Sequence, residues 1–121
     1  MATGNKEILN NLLSDDVIFH SPIVHTPQEG KAITTAYLLA ASQVLGGEGF
    51  SYVREIIGEG NFVLEFIKEI DGIMINGVDI VEFNMDNKIT DFKVMVRPLK
   101  AVNLIHQKMG EMLMKMKKSS S

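Results

Sequence analysis

The spacing of apolar residues predicts three helices and a group of strands. Apolar positions recur at helical intervals in residues 6–13, 32–45 and 98–117. Gly46 and Gly47 end the second of these segments, and Pro98 is suited to the first turn of the third. Residues 17–20 are short and rich in β-branched and aromatic side chains, which predicts a strand.

The stretch from Phe50 to Val96 predicts a four-stranded antiparallel meander. Runs of β-branched and aromatic residues occupy 50–57, 61–70, 73–84 and 88–97. Short segments rich in Gly, Asp and Asn separate these runs, as in hairpin turns. Gly77 lies inside the third run, where it predicts a bulge or a bend that would curve the sheet.

This order of elements predicts an α+β fold, in which a strongly curved antiparallel sheet wraps around helices to form a cone with a pocket. The helix over residues 98–117 would cover that cone, either in the same chain or in a dimer partner. We expect a single domain over residues 1–121, followed at its end by a disordered tail of serines.

Composition narrows the classes of function. The chain has 121 residues, of which 45% are hydrophobic, and its net charge is −3 without a basic stripe, so we expect no nucleic-acid partner. The start lacks the apolar core of a signal peptide, and the uncharged run 32–47 is too short to span a bilayer, so we expect no membrane partner. The absence of cysteine fits a cytoplasmic location.

Three segments together resemble the nuclear transport factor 2-like superfamily, and within it the SnoaL-like group. They are Asp-Asp-Val-Ile-Phe-His-Ser-Pro (15–22), Gly30 before a helix, and Gly-Val-Asp-Ile-Val-Glu-Phe-Asn (77–84) with Asn-Lys-Ile-Thr (87–90). The resemblance covers about residues 5–98, and the superfamily also contains ketosteroid isomerases, limonene epoxide hydrolase and polyketide cyclases. It implies the conical fold derived above.

The resemblance implies only part of an isomerase site. Asp79 resembles the protonated aspartate that donates a hydrogen bond to the oxyanion in ketosteroid isomerases, and Tyr37 resembles a tyrosine that supports that network. Ser21 stands where those enzymes have their aspartate base, and Arg97 stands where the family often has an aspartate. The catalytic tyrosine of their long first helix has no counterpart in this sequence. We therefore do not expect the isomerase mechanism, or the epoxide hydrolase mechanism, in unchanged form.

Strand alternation provides an independent argument for Asp79. If residues alternate between the two faces of the third strand, Asp79 shares the pocket face with Val81 and Phe83. A carboxyl group in such apolar surroundings would have a raised pKa, suited to acid–base chemistry or hydrogen-bond donation. The alternative is that Asp79 bonds to the backbone near Gly77 or lies on a solvated rim. The predicted pocket lining is Phe19, Ser21, Tyr37, Leu64, Phe66, Asp79, Val81, Phe83, Phe92, Val94 and Val96.

Other polar residues are weaker candidates. His25, in the loop after the first strand, could assist proton transfer, whereas His20 should lie on the opposite face. Arg97 is expected to form an ion pair with Glu82 or Asp91 on the outer face of the sheet. The sequence predicts no cofactor and no metal site, because cysteine is absent and the histidines lack ligand spacing.

Three functions remain open from the sequence. The first is binding of a small, largely apolar organic molecule, oriented by Asp79. The second is proton-transfer catalysis on a carbonyl compound, such as isomerisation or cyclisation, by Asp79 with Tyr37 or His25. The third is a protein-interaction or scaffold role with a filled pocket. A homodimer through the outer sheet face is expected because Ile67, Ile80 and Met95 would otherwise be exposed there.

Overall fold

The computed structural model describes residues 6–119, with side chains described through residue 117. The elements are α1 (Lys6–Leu12), β1 (Leu13–His20), β2 (Gln28–Glu29), α2 (Lys31–Leu45), β3 (Ser51–Gly58), β4 (Asn61–Ile70), β5 (Ile73–Phe83), β6 (Ile89–Arg97) and α3 (Leu99–Ser119). The predicted helices and strands are confirmed to within a few residues, and only the two-residue strand β2 was not predicted. The predicted disorder of the serine tail concerns residues 120 and 121, which lie outside the described residues.

The strands form one open sheet in the order β2-β1-β6-β5-β4-β3. Strands β3 to β6 are the predicted antiparallel meander, and their pairing is continuous from hairpin to hairpin. The sheet is nevertheless mixed, because β1 pairs in parallel with β6. The long chain segment between β1 and β6 permits this parallel pairing, which a tight hairpin could not form. The two edges, β2 and β3, stay apart, so the sheet forms an open cone.

Of the two predicted features at Gly77, a bulge or a bend, the bulge is wrong. The β4–β5 register runs without a shift through the pairs Phe66–Gly77 and Leu64–Asp79. A Cβ atom at Gly77 would lie 2.2 Å from Cζ of Phe66, so glycine is needed here to make room for a phenyl ring. Register shifts are observed elsewhere, between Leu13 and Ile18 in β1, between Tyr52 and Arg54 in β3, and in β6, where Thr90 is skipped between the pairs Glu82–Asp91 and Phe83–Ile89.

Two apolar clusters fill the concave side of the sheet. The first joins Leu9 of α1 and Leu38 of α2 to β1, with Val17 and Phe19 almost completely buried. The second joins Leu45 at the end of α2 to Phe66, Ile75, Ala101 and Ile105. The helices thus pack over β1, β6 and part of β5, whereas every residue of edge strand β3 is exposed.

Candidate functional site

An apolar cavity of about 230 Å³ lies between α2, α3, β6 and the loop after β1. Most of its lining is aliphatic or aromatic, as expected of a small-molecule site. The lining residues are Phe19, Ser21, Pro22, Ile23, Val24, Tyr37, Ala41, Leu45, Val94, Val96, Ile105, His106, Met109, Gly110 and Leu113.

Helix α3 supplies one wall of this cavity from within the same chain. Its residues Ile105, Met109 and Leu113 face the cavity, and α3 contacts α2, β5 and β6. The sequence predicted that this helix would cover the cone but left open whose cone it covers. His106 and Met109 were not among the predicted lining residues. The apolar spacing of α3 indicates a buried stripe, but it does not reveal which cavity the stripe faces.

The polar groups of the cavity wall are few and partly engaged. The Ser21 Oγ accepts a hydrogen bond from the backbone N–H of Ile23 at 3.0 Å. Its own hydroxyl proton can still be donated, since a serine hydroxyl is both donor and acceptor. The Tyr37 ring stacks on Phe19 with 5.4 Å between ring centroids, which fixes the direction of its hydroxyl. His106 on α3 also belongs to the lining, so the wall offers an imidazole ring besides the two hydroxyl groups.

Asp79 lies deeper in the concave face and is only 2% exposed. Its cross-strand neighbours are Leu64 on β4 and Val94 on β6, and Ile75, Gly77 and Val81 of β5 are buried together with it, so the carboxyl lies on the buried face of the sheet. Burial raises the pKa of the Asp79 carboxyl from 3.8 to about 7, because the charged form loses its hydration. Among the described residues its Oδ1 atom has no hydrogen-bond partner. The solvated-rim alternative is thereby excluded.

Asp79 is not among the residues that line the 230 Å³ cavity, but its neighbour Val94 is. Cβ atoms of directly paired antiparallel residues lie roughly 5 Å apart. The Asp79 side chain therefore lies beside the wall residue Val94 on the same face of the sheet, one strand away from it.

Tyr52 on β3 is a second titratable group close enough to sense Asp79. Desolvation, followed by the charges of Asp79 and Glu55, raises the pKa of the Tyr52 phenol to about 12. Tyr52 pairs with Phe66, whose other neighbour is Gly77, and it is 38% exposed. Its phenol stays protonated near neutral pH, so its O–H can donate a hydrogen bond on the same face of the sheet.

The predicted pocket lining divides into two groups. Phe19, Ser21, Tyr37, Val94 and Val96 line the cavity. Leu64, Phe66, Asp79, Val81, Phe83 and Phe92 are not part of its lining. Those in β4 and β5 continue the concave face toward edge strand β3, whose residues are all exposed. Alternation along strands identified the correct face but could not show where the helices leave space.

The histidine and arginine candidates lie away from the cavity interior. His25 is exposed and borders a shallow surface depression together with His20. His20 Nε2 lies 2.9 Å from Asp91 Oδ1 in a half-buried pair. The predicted ion pair of Arg97 with Glu82 or Asp91 is wrong, because Arg97 Nη1 instead donates to Asn76 Oδ1 at 3.4 Å. Asn76 is the direct cross-strand partner of Arg97, whereas Asp91 lies six residues away along β6.

Within residues 6–119, no group of three or more His, Cys, Asp or Glu side chains is arranged to hold a metal ion. Within the same residues, no helix combines the length and the hydropathy needed to cross a membrane.

Comparison with solved structures identifies the fold family. An uncharacterized protein with a cystatin-like fold from Silicibacter pomeroyi DSS-3 matches with a TM-score of 0.81 and 30% identity, over 89% of this chain and 75% of that chain. A steroid delta-isomerase from Pseudomonas aeruginosa matches with a TM-score of 0.80 and 30% identity, over 97% of this chain and 82% of that chain. A protein of unknown function from Mesorhizobium loti, described as NTF2-like, shares the fold with a TM-score of 0.66 and 13% identity, over 78% and 80% of the two chains. No protein-family model and no curated protein matches the sequence.

The open curved sheet, the helices on its concave side and the cavity between them define an α+β cone. The two structures that are 30% identical to this chain are covered over 75% and 82% of their own lengths, which shows that the three proteins belong to one family. The chain belongs to the nuclear transport factor 2-like superfamily. This superfamily places different functions on one scaffold, so the function has to be argued from the site.

Proposed function

We propose that this protein binds a small, largely apolar organic molecule in the cavity between α2, α3 and β6. The observation that supports the proposal best is the cavity itself, a space of about 230 Å³ whose wall is mainly apolar. Its hydroxyl groups, from Ser21 and Tyr37, would orient a ligand with a single polar atom. An open cavity also argues against a scaffold role in which side chains fill the cone.

Filling the cavity from α2 should abolish this binding. Ala41 lines the cavity, and Ala41→Phe would place a phenyl ring in the space that the ligand needs. We expect the affinity for a neutral aromatic probe, 2-naphthol, to fall at least about tenfold, which corresponds to about 1.4 kcal/mol. Fluorescence titration of the wild type and the variant would measure the change.

The matched control for this experiment is Ala36→Phe. Ala36 lies on the same helix but does not line the cavity. Binding of 2-naphthol that is equal in the wild type and Ala41→Phe would contradict the cavity as the ligand site. Equal loss in both alanine variants would mean that α2 is disturbed generally, and the proposal would then fail as well.

The second candidate function is an enzyme that transfers protons on a carbonyl compound, and it is favoured by the buried carboxyl of Asp79. An acid whose pKa lies near 7 can both donate and accept a proton near neutral pH. The 30% identity to a steroid delta-isomerase over 97% of the chain adds to this argument. Tyr37, on the cavity wall, would assist this proton transfer. His25 is exposed and does not line the cavity, so it is less suited to assist.

The enzyme hypothesis can be tested by the isomerisation of a β,γ-unsaturated cyclic ketone, followed by ultraviolet absorbance. Catalysis by the wild type that is lost in Asp79→Asn would support it. Turnover that is unchanged in Asp79→Asn, or absent from the wild type, would leave binding as the function.

We also propose a homodimer through the outer face of the sheet. Met95 is 50% exposed on that face, and Ile67 and Ile80 are partly exposed beside it. Burying these side chains against a second copy would remove apolar surface from water. Sedimentation velocity should give about twice the monomer mass at micromolar concentration, and Met95→Glu should return the protein to a monomer. A wild type that sediments as a monomer at high concentration would refute the dimer.

A further inference from the structure

Leu113 on α3 borders two spaces of different size. One is the ligand cavity of about 230 Å³ described above. The other is a groove of about 1150 Å³, lined by residues of α1, α2 and the C-terminal half of α3. Among the described residues, Leu113 alone belongs to the lining of both spaces, and it is half-buried. Its side chain is therefore the part of α3 that separates the groove from the cavity.

Helix α2 forms the other part of this boundary. Its residues Tyr37 and Ala41 line the cavity, whereas Ala36 and Leu39 line the groove. By helical geometry Ala40 lies between these two sides of α2, and it is completely buried. Because Ala40 contributes only a methyl group, the wall between the two spaces depends on the larger side chain that α3 places against α2.

The groove beyond Leu113 offers an apolar surface. Its lining includes Ala36 and Leu39 on α2, and Met112 and Met116 on α3. Methionine side chains adapt readily to flexible apolar partners. An alkyl chain that passed Leu113 would therefore bury its surface against apolar groups, but the side chain of Leu113 occupies that path.

The cavity also borders a second depression, in a different direction. His106 and Gly110 line both the cavity and this depression. On the depression side of α3, Asn103, Gln107 and Glu111 follow one another at intervals of four residues, so they form one polar row along the helix. A hydrocarbon chain that left the cavity beside His106 would lie against these polar groups and water, and so would gain little from burial.

From this arrangement we propose that Leu113 determines the length of the ligand. The cavity accepts compact alcohols, phenols or ketones of one or two rings, and it rejects the same molecules when they carry a long alkyl chain. The volume of about 230 Å³ agrees with this, since sites for drug-sized ligands usually measure roughly 300–1,000 Å³. Shortening Leu113 would join the cavity to the groove and admit the chain. This role of Leu113 rests on the proposed binding function and adds the class of ligand to it.

Isothermal titration calorimetry with para-cresol and para-hexylphenol tests this role. The two phenols differ only in the length of the alkyl chain, so the ratio of their affinities reports whether the chain is accommodated. In the wild type we expect para-hexylphenol to bind no more tightly than para-cresol. In Leu113→Ala we expect the ratio to rise in favour of para-hexylphenol by at least about tenfold. Leu113→Val, a smaller truncation, should shift the ratio in the same direction by less.

Three further changes locate the effect. Leu113→Met keeps a side chain of similar volume and should retain the ratio of the wild type. Leu104→Ala is the matched control, because Leu104 is a half-buried leucine of α3 that lines neither space, and it should also retain that ratio. Ala36→Phe would fill part of the groove. Added to Leu113→Ala, it should reverse the gain, while the affinity for para-cresol stays as it is in Leu113→Ala.

The possible results separate this role from the proposed function. If the wild type binds neither para-cresol nor 2-naphthol, the proposed function fails, and the role of Leu113 fails with it. If the wild type binds para-cresol but Leu113→Ala leaves the ratio unchanged, only the role of Leu113 is overturned. The same holds if Leu104→Ala produces an equal gain, or if Ala36→Phe leaves the gain intact. Should Leu113→Ala not fold, Leu113→Val decides by the same criterion.

Discussion

Replacing Asp79 by asparagine should remove most of a pH dependence of stability that the wild type shows between about pH 4 and pH 7. The Asp79 carboxyl is 2% exposed, and burial raises its pKa in the folded state from 3.8 to about 7. In the unfolded chain the same group titrates near its ordinary value. The two states therefore bind different numbers of protons in this interval.

The direction of the effect follows from proton linkage. Between about pH 4 and pH 7 the folded state keeps the proton of Asp79 while the unfolded state releases it, so the free energy of unfolding falls as pH rises. The stabilising contribution is fully present below about pH 4 and is lost by about pH 7. Three pKa units correspond to about 4 kcal/mol at most. The cause is the cost of burying a charged carboxylate among Leu64, Val81 and Val94.

Urea denaturation of the wild type and Asp79→Asn at about pH 5 and pH 8 would measure this effect. We expect the change in the free energy of unfolding caused by Asp79→Asn to be more favourable at pH 8 than at pH 5, by about 2–3 kcal/mol. Asp86→Asn is the matched control, because Asp86 is exposed in the turn between β5 and β6. If the difference between wild type and Asp79→Asn is the same at both pH values, Asp79 does not titrate as a buried acid and the enzyme hypothesis loses its main support.

Adding one methyl group at Gly77 should destabilise the protein severely. The Cβ atom of Gly77→Ala would lie 2.2 Å from Cζ and 2.6 Å from Cε2 of Phe66, well inside van der Waals contact. Phe66 is completely buried and packs on Phe50 with 5.3 Å between ring centroids, so the ring has little freedom to move away. Overpacking of this kind costs roughly 1–3 kcal/mol, and the cost here should lie at or above the upper end.

Two comparisons make this prediction specific. Gly110→Ala on α3 meets no atom within 4 Å and should stabilise the helix by up to about 1 kcal/mol. Phe66→Leu should relieve the clash, so the double variant Gly77→Ala/Phe66→Leu should be less destabilised than the sum of its two single changes. Thermal denaturation of the wild type and these four variants would measure the differences. Strict additivity would show that Phe66 is not the side chain that excludes Cβ at position 77.

Gly77 also shows what a local sequence pattern can predict and what it cannot. Glycine inside a strand predicts a bulge, a bend or a close approach, and these alternatives differ only in what lies across the strand. Phe66 comes eleven residues earlier, and only the β4–β5 register places its ring over Gly77. The sequence identified the special position, but the neighbouring strand decided the reason for it.

At the candidate site, too, the sequence predicted one feature and the packing of whole elements decided another. Strand alternation placed Asp79 on the concave face, because side-chain direction in a strand follows from position alone. The place of the open space could not be derived in this way. It depends on the packing of α3 against α2, which makes His106, Met109 and Leu113 part of the cavity wall, whereas Asp79 is not part of it.

The sequence by itself determined the order of the helices and strands, their approximate bounds, the α+β class and the apolar faces, because each of these depends on periodicity and turn chemistry within a few residues. The tertiary structure decided the parallel pairing of β1 with β6, the partners of Arg97 and Asp91, and the position of the cavity. These features join residues far apart in the chain. Their geometry is set by how whole elements pack, which no local pattern specifies.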